Sequence, residues 1–234
     1  ALELGDARRV NLGVGIPTSI ASVAHEEGIL DRLTLNTEVG VLGGLPQSGK
    51  NFGPAKNPSA FISQAAMFDF YDGGGLDLTC VGIAQVDGEG NVNVSKIGPK
   101  IIGCGGFINI TQSTKSVIFC GEFTAVGNRT AIQNGTLQIL TEGKVQKFVT
   151  AVEQITCSGA VARRGRQKIL FVTERCVFKL VPAGLELTEI ASGIDLERDV
   201  LGQMGFRPLI AKDLKVMDAR IFQSPPMNCR SAGE

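Results

Sequence analysis

At 234 residues, with 43% apolar and 20% charged positions, the chain has ordinary globular composition and enough length to bury a substantial core. Lys+Arg and Asp+Glu balance at 23 each, which gives no basic footprint for nucleic acid or an anionic membrane surface. A single histidine and six widely spaced cysteines without a CxxC pair leave almost no material for a zinc site, and no apolar run approaches the roughly 18 residues of a membrane span.

Taken in chain order, Ala1 to Asp6 lacks an initiator methionine and reads as the last turn of a helix ending at Gly5, so the expectation is a chain that starts inside a longer or processed gene product. Val10 to Leu12 is a short strand running into the turn Gly13-Val14-Gly15, after which Pro17 and Thr18 suit the opening of a helix to about Glu27. His25 lies in that helix and reads as a surface residue rather than part of a Ser-His-Asp relay. Leu33 to Thr37 alternates and is β-branched, a strand that delivers Glu38 to the turn Val39-Gly40-Val41-Leu42-Gly43-Gly44. A loop-rich stretch through Pro46, Pro54 and Pro58 precedes a short helix near Ser59 to Phe68 and the triple glycine Gly73 to Gly75.

Leu78 to Val86 is expected to be one buried strand, with Asp87 to Asn91 turning it into the antiparallel Val92 to Val94, so that the sheet is mixed. Ile101 and Ile102 lead into a further glycine turn at Gly103, Gly105 and Gly106; Ser116 to Cys120 and Lys168 to Val172 are apolar strands. Asn134-Gly135 before Thr136 to Leu140 marks a hairpin arm. A strand from Leu185 to Ile190, a helix from about Asp195 to Met204 and an irregular tail with Pro225-Pro226 complete the reading. The basic run Arg163-Arg164-Gly165-Arg166 reads as a solvated turn, the cysteines as reduced buried thiols, and residues 1–234 as a single α/β domain expected in the cytoplasm.

Three glycine-dense turns, at Gly13/Gly15, Gly40/Gly43/Gly44 and Gly103/Gly105/Gly106, each follow an apolar strand. In an open α/β sheet the carboxyl ends of strands form the ligand edge, and glycines there let backbone N–H groups approach a ligand. Gly13-Val14-Gly15 is a weak dinucleotide cue, because Thr18 stands where the third glycine of G-x-G-x-x-G belongs. An acid leaving a strand among such glycines, as Glu38 does, is most often a cap or an ion-pair partner, so its context has to decide.

That context resembles family I coenzyme A transferases. Thr37-Glu38-Val39-Gly40-Val41-Leu42-Gly43-Gly44 is similar to the family's E-x-G signature and Asn11-Leu12-Gly13-Val14-Gly15-Ile16 to its opening N-x-G-x-G-I. The similarity continues through Asn51-Phe52-Gly53, Gln64, Phe68 to Asp77, Gly103 to Ile110, Ile118 to Ala125 and Val172 to Arg175, nearly the whole chain. The subgroup it resembles transfers CoA among short-chain acyl-CoAs, acetate, 3-ketoacids and propionate.

The resemblance implies a three-layer α/β/α sandwich around a mixed, mainly parallel sheet, and Glu38 as the residue that is acylated and then carries CoA as a glutamyl thioester. It implies Gly103, Gly105, Gly106 and Gly40 as the oxyanion and CoA-binding turns, no metal, and no cofactor beyond CoA as substrate and covalent intermediate; Lys96 and Lys100, which precede the Gly103 turn, are candidates for CoA phosphates, against the alternative of plain surface lysines. Phe52, Phe68 and Phe70 are candidates for the acyl pocket, against the commoner core role of such aromatics. It also implies an oligomer with a homologous alpha-type half that is absent from this chain. Two rivals stand beside this reading: a related sugar-phosphate isomerase chemistry, and a noncatalytic subunit or interaction module that retains the fold. Glu38 facing a cleft beside the Gly103 to Gly106 turn separates them from the transferase.

Overall fold

Three short strands with almost no exposed residue explain why the chain begins as an α/β fold: β1 (Arg9–Leu12), β2 (Thr34–Thr37) and, later, the fully buried Leu78–Val81. Strands covered on both faces read as continuous apolar runs and pair in parallel. The computed structural model describes residues 1–47 and 49–229 and divides them into two compact units.

The first unit comprises Ala1–Gly82, Gly105–Ile118 and the stretch from Pro226. Between β1 and β2 runs α1 (Ile16–Glu26), opened by Pro17 in its first turn and packed on β1, with His25 exposed on its surface. β3 (Val41–Leu42) and β4 (Ala60–Phe61) follow; α2 (Gln64–Asp72) comes next, then β5 (Leu78–Val81) and α3 (Phe107–Gln112). The strand order is β5-β1-β2-β3-β4. Val10 pairs in parallel with Leu35 on one side and Leu78 on the other, while β2/β3 and β3/β4 are antiparallel.

The second unit comprises Ile83–Cys104 and Phe119–Pro225. It holds the hairpin β6 (Lys96–Ile97) and β7 (Lys100–Ile101). The strand β8 (Ser116–Cys120) carries the chain across the division between the units, and the arm β9 (Arg129–Gln133) and β10 (Thr136–Thr141) follows. The arm turns on Asn134 and Gly135, with φ of 52° and 73°, as a two-residue hairpin of this hand requires. After α4 (Gly159–Arg164), the strands β11 (Lys168–Val172), β12 (Cys176–Val181), β13 (Gly184–Ile190) and β14 (Leu209–Val216) lie side by side, antiparallel except for the last pair. Their core is aromatic: Phe123 stacks on Phe148 with ring centroids 4.7 Å apart, and Phe148 meets Phe178 at 5.0 Å.

The α/β class and the mixed sheet with a parallel centre are as the sequence leads one to expect, and several boundaries differ for identifiable reasons. The helix expected near Ser59 to Phe68 starts later, because Ser59 to Phe61 is drawn into the sheet beside β3 and Ser63 caps α2 by accepting from the Ala66 N–H at 3.2 Å. The single strand Leu78 to Val86 is two: it stops at Val81, and Gln85–Val86 forms a separate hairpin with Val92–Asn93. Asp195 to Met204 is a π-helical turn followed by a 3-10 turn rather than one α-helix. What reads as an irregular tail contains β14, an edge strand whose Lys, Asp and Ile positions are nearly all exposed or half exposed and so carry no burial pattern. All six cysteines remain thiols; Cys80, Cys120, Cys157 and Cys176 are buried, and burial pushes Cys120 up to about 11. Among the described residues no helix is long and apolar enough to cross a membrane.

Candidate functional site

Glu38 leaves the carboxyl end of β2 in the three-residue turn Glu38-Val39-Gly40, closed by the Gly40 N–H donating to Thr37 O at 3.0 Å. Gly40 has φ +102°, and a side chain there would collide with the backbone carbonyl of Ile62. Both facts demand glycine, so Gly40 shapes the turn that aims Glu38. The loop is held from below by the Thr37 hydroxyl, which donates to Gly53 O at 2.6 Å.

The Glu38 carboxylate is half-buried and lies against Gly106. A Cβ placed on Gly106 would fall on Glu38 Oε2, 3.1 Å from its Cδ, and 2.9 Å from Phe68 Cζ. Gly106 therefore leaves the space that the carboxylate and the edge of Phe68 share. Burial raises the Glu38 pKa above the ordinary glutamate value, and no described side chain forms an ion pair or hydrogen bond with it. Within the same turn, Gly105 has φ +50° and open space around it. Among the described residues, the N–H groups of Gly105 and Gly106 have no protein acceptor.

Beneath the turn is a buried, uncharged network that sequence reading missed. The Tyr71 hydroxyl donates to Asn36 Oδ1 at 2.8 Å and accepts from Asn11 Nδ2 at 3.1 Å. Thr79 donates to Asn11 Oδ1 at 3.2 Å, and Asn36 Nδ2 donates to Val10 O at 3.1 Å. All four side chains are buried. The available signal was a polar residue inside each apolar strand: Asn11 between Val10 and Leu12, and Asn36 after Leu35. Burial raises the Tyr71 pKa and the nearby charge of Glu38 adds to it, partly offset by the Asn11 hydrogen bond.

Gly103, Lys96 and Lys100 lie in the second unit. Gly103 has φ +86°, and its N–H donates to Ser95 O at 3.0 Å. Lys96 pairs with Ile101 and Lys100 with Ile97 across the β6/β7 hairpin, so the two lysines stand on opposite faces of that ladder. Its tip is gripped by Glu153, which accepts from the Gly98 N–H at 2.6 Å and from Gln85 at 2.9 Å. Of the three aromatics, Phe68 lies beside Gly106, and Phe70 packs over Gly75 and within 6.1 Å of the Tyr71 ring. Phe52 is half-buried.

No family model matches the chain. It is 49% identical over 227 residues to a caffeate CoA-transferase of Acetobacterium woodii, covering 95% of this chain and 43% of that protein, so it spans well under half the length of such relatives. It is 32% identical over 214 residues to the acetate CoA-transferase subunit beta of Escherichia coli, covering 84% of each. The crystal structure of an acyl-CoA transferase from E. coli O157:H7, described as a thioester complex with CoA, matches with a TM-score of 0.91 and 42% identity over 97% of this chain and 43% of that one.

Proposed function

Because the chain belongs to the family I coenzyme A transferases, we propose that it supplies the nucleophilic half of such an enzyme and moves CoA from a short-chain acyl-CoA to a carboxylic acid through Glu38. The observation that carries this reading is the Glu38 carboxylate itself: half-buried, raised in pKa by burial, without a cationic partner among the described residues, and set against a glycine turn. An acid serving as an ion-pair anchor has the opposite surroundings.

In the reaction, a Glu38 oxygen attacks the acyl-CoA carbonyl, and collapse of the tetrahedral intermediate gives an acyl-glutamyl anhydride and CoA thiolate. The thiolate attacks the Glu38 side-chain carbonyl, expelling the first carboxylate and leaving a glutamyl-CoA thioester. The acceptor carboxylate attacks that thioester to form a new anhydride and thiolate. Attack of the thiolate on the new acyl carbonyl releases acyl-CoA and regenerates Glu38.

Each tetrahedral intermediate carries an oxyanion, and a well-placed N–H donor stabilises one by about 3 kcal/mol. The N–H groups of Gly105 and Gly106 are the donors we assign, since that of Gly103 is committed to Ser95. Lys96 and Lys100 stand on opposite faces of their hairpin, so one of the two rather than both is assigned to a CoA phosphate. The chemistry needs no metal or further cofactor, because the carboxylate carries first the acyl group and then CoA. The complete enzyme pairs this chain with a homologous alpha-type half, as its match to a protein named a subunit beta and to less than half of longer relatives supports. Six cysteines kept as thiols favour action in the reducing cytoplasm.

The test is to incubate the chain, with its complementary half, with acetyl-CoA and to map CoA, or its hydroxylamine-trapped product, by peptide mass spectrometry. The expected result is an adduct on Glu38 that disappears in Glu38→Gln while the fold persists. A folded, CoA-binding assembly with neither adduct nor acyl exchange would overturn the reading in favour of a noncatalytic subunit.

A further inference from the structure

We propose that Tyr71 is a positioning residue for Glu38, holding α2 against the end of β2 so that Phe68 backs the carboxylate where it rests on Gly106. The inference rests on the reading of Glu38 as the nucleophile.

Four polar side chains are buried to 2% exposure or less, Asn11, Asn36 and Thr79 on parallel strands and Tyr71 on the helix packed against them, where aliphatic residues would pack without desolvation cost. Their hydrogen bonds run in one direction: Thr79 to Asn11, Asn11 to Tyr71, Tyr71 to Asn36, and Asn36 to the Val10 carbonyl. Three members belong to strands β5, β1 and β2, which the sheet already aligns. Tyr71 alone comes from a helix, so its phenol is the group that ties α2 to the strand ending in Glu38.

One helical turn before Tyr71, Phe68 stands edge-on to its ring, with centroids 5.8 Å apart and planes at 77°. The far edge of Phe68 shares with Glu38 Oε2 the space left by the missing Gly106 side chain. The depth at which the phenol anchors α2 thus sets the wall behind the carboxylate. Burial and the charge of Glu38 keep the phenol protonated, so it remains a donor throughout the working pH range.

The experiment measures how fast Glu38 acquires CoA from acetyl-CoA in the complete enzyme, for the wild type, Tyr71→Phe and Thr79→Val. Tyr71→Phe keeps the ring and removes the tether. It is expected to slow the adduct about 100-fold, the scale of an ångström-sized misplacement, with acetyl-CoA affinity unchanged. Thr79→Val removes one hydrogen bond of the same network at the same depth and leaves the phenol bonded to Asn36; it should lower the melting temperature comparably and leave the adduct rate near wild type. A wild type that forms no adduct removes the reading of Glu38 and this inference with it. A reactive wild type with a Tyr71→Phe that is equally fast, or slowed no more than Thr79→Val, overturns the positioning role alone. Phe68→Leu leaves the network intact and loosens only the wall, so a full-speed Phe68→Leu likewise overturns it.

Discussion

Two glutamates at the edges of two glycine turns have opposite surroundings. In the first unit Glu38 has no ionic partner among the described residues, its pKa is raised by burial, and the network below it is neutral. In the second unit Glu142 receives both terminal nitrogens of Arg175, at 2.7 and 2.8 Å, and the hydroxyl of Thr124, and accepts from the Gly143 N–H at 3.0 Å. Burial pushes Glu142 up as well, but the hydrogen bonds from Arg175 and Thr124 outweigh it and hold the carboxyl below its ordinary value. Arg175 is itself fully buried, also binds Glu174 at 3.1 Å and the Asp199 carbonyl at 2.9 Å, and lies over the Phe123 ring. Paired charge fastens the base of the β9/β10 arm, whereas burial, with no ionic partner among the described residues, raises the pKa of the acid at the site. A carboxylate held as Glu142 is held would be a poor nucleophile.

The largest effect that sharpens this contrast is on the structural side. Arg175→Leu leaves Glu142 and Glu174 without their cation in a partly buried setting, and it is expected to destabilise the chain by about 3 to 5 kcal/mol in chemical denaturation. A loss under about 1 kcal/mol, the range of surface pairs, would mean that the hub is ornamental and the contrast empty.

Next in size is the chemical side. Gly106 has φ −79°, a conformation alanine adopts without strain, so Gly106→Ala acts only through its methyl group, which meets Glu38 and Phe68. The adduct rate should fall about 100-fold while the melting temperature changes little. Gly40→Ala is the counterexample, because there φ +102° and the Ile62 carbonyl oppose any side chain and the turn itself should be lost. Wild-type kinetics in Gly106→Ala would show that the carboxylate is free to work elsewhere.

The placement of Glu38 was legible because three local signals agree: an alternating strand with β-branched Thr34 and Thr37, an acid at its end, and glycine two positions on. The hairpin at Asn134-Gly135 was legible from its turn pair, and the strands at Ser116 and Lys168 from their apolar runs. What escaped depends on partners distant in sequence. Asn36 acquires its meaning from Tyr71, 35 positions later, and the Gly103 N–H is taken up by the carbonyl of Ser95. β14 escaped because Lys212, Asp213 and Lys215 interrupt its apolar residues and no position is buried, as suits an edge strand, so no period-2 pattern marks it. Arg175 stood in view inside Val172 to Arg175, but nothing in that run says that Glu142 lies opposite it.

The smallest predicted effect separates the two glutamates by sign. A carboxyl whose folded pKa is raised binds its proton more tightly folded than unfolded, so the ionised form opposes folding above that raised value. Glu38→Gln should therefore stabilise the chain at neutral pH, by under about 1 kcal/mol because a half-exposed carboxylate is screened, and the gain should vanish below the ordinary value of 4.5. Glu142 is depressed, so its contribution is present above 4.5 and disappears as pH falls through its lower folded value; Glu142→Gln should destabilise at neutral pH and converge with wild type in acid. Denaturation midpoints across pH 3 to 8 would read both, and equal signs would break the comparison. The same shift fixes the kinetics: the attacking species is the carboxylate, so the acid limb of kcat/KM for adduct formation should lie above 4.5, not below it as it would if Glu38 shared the surroundings of Glu142.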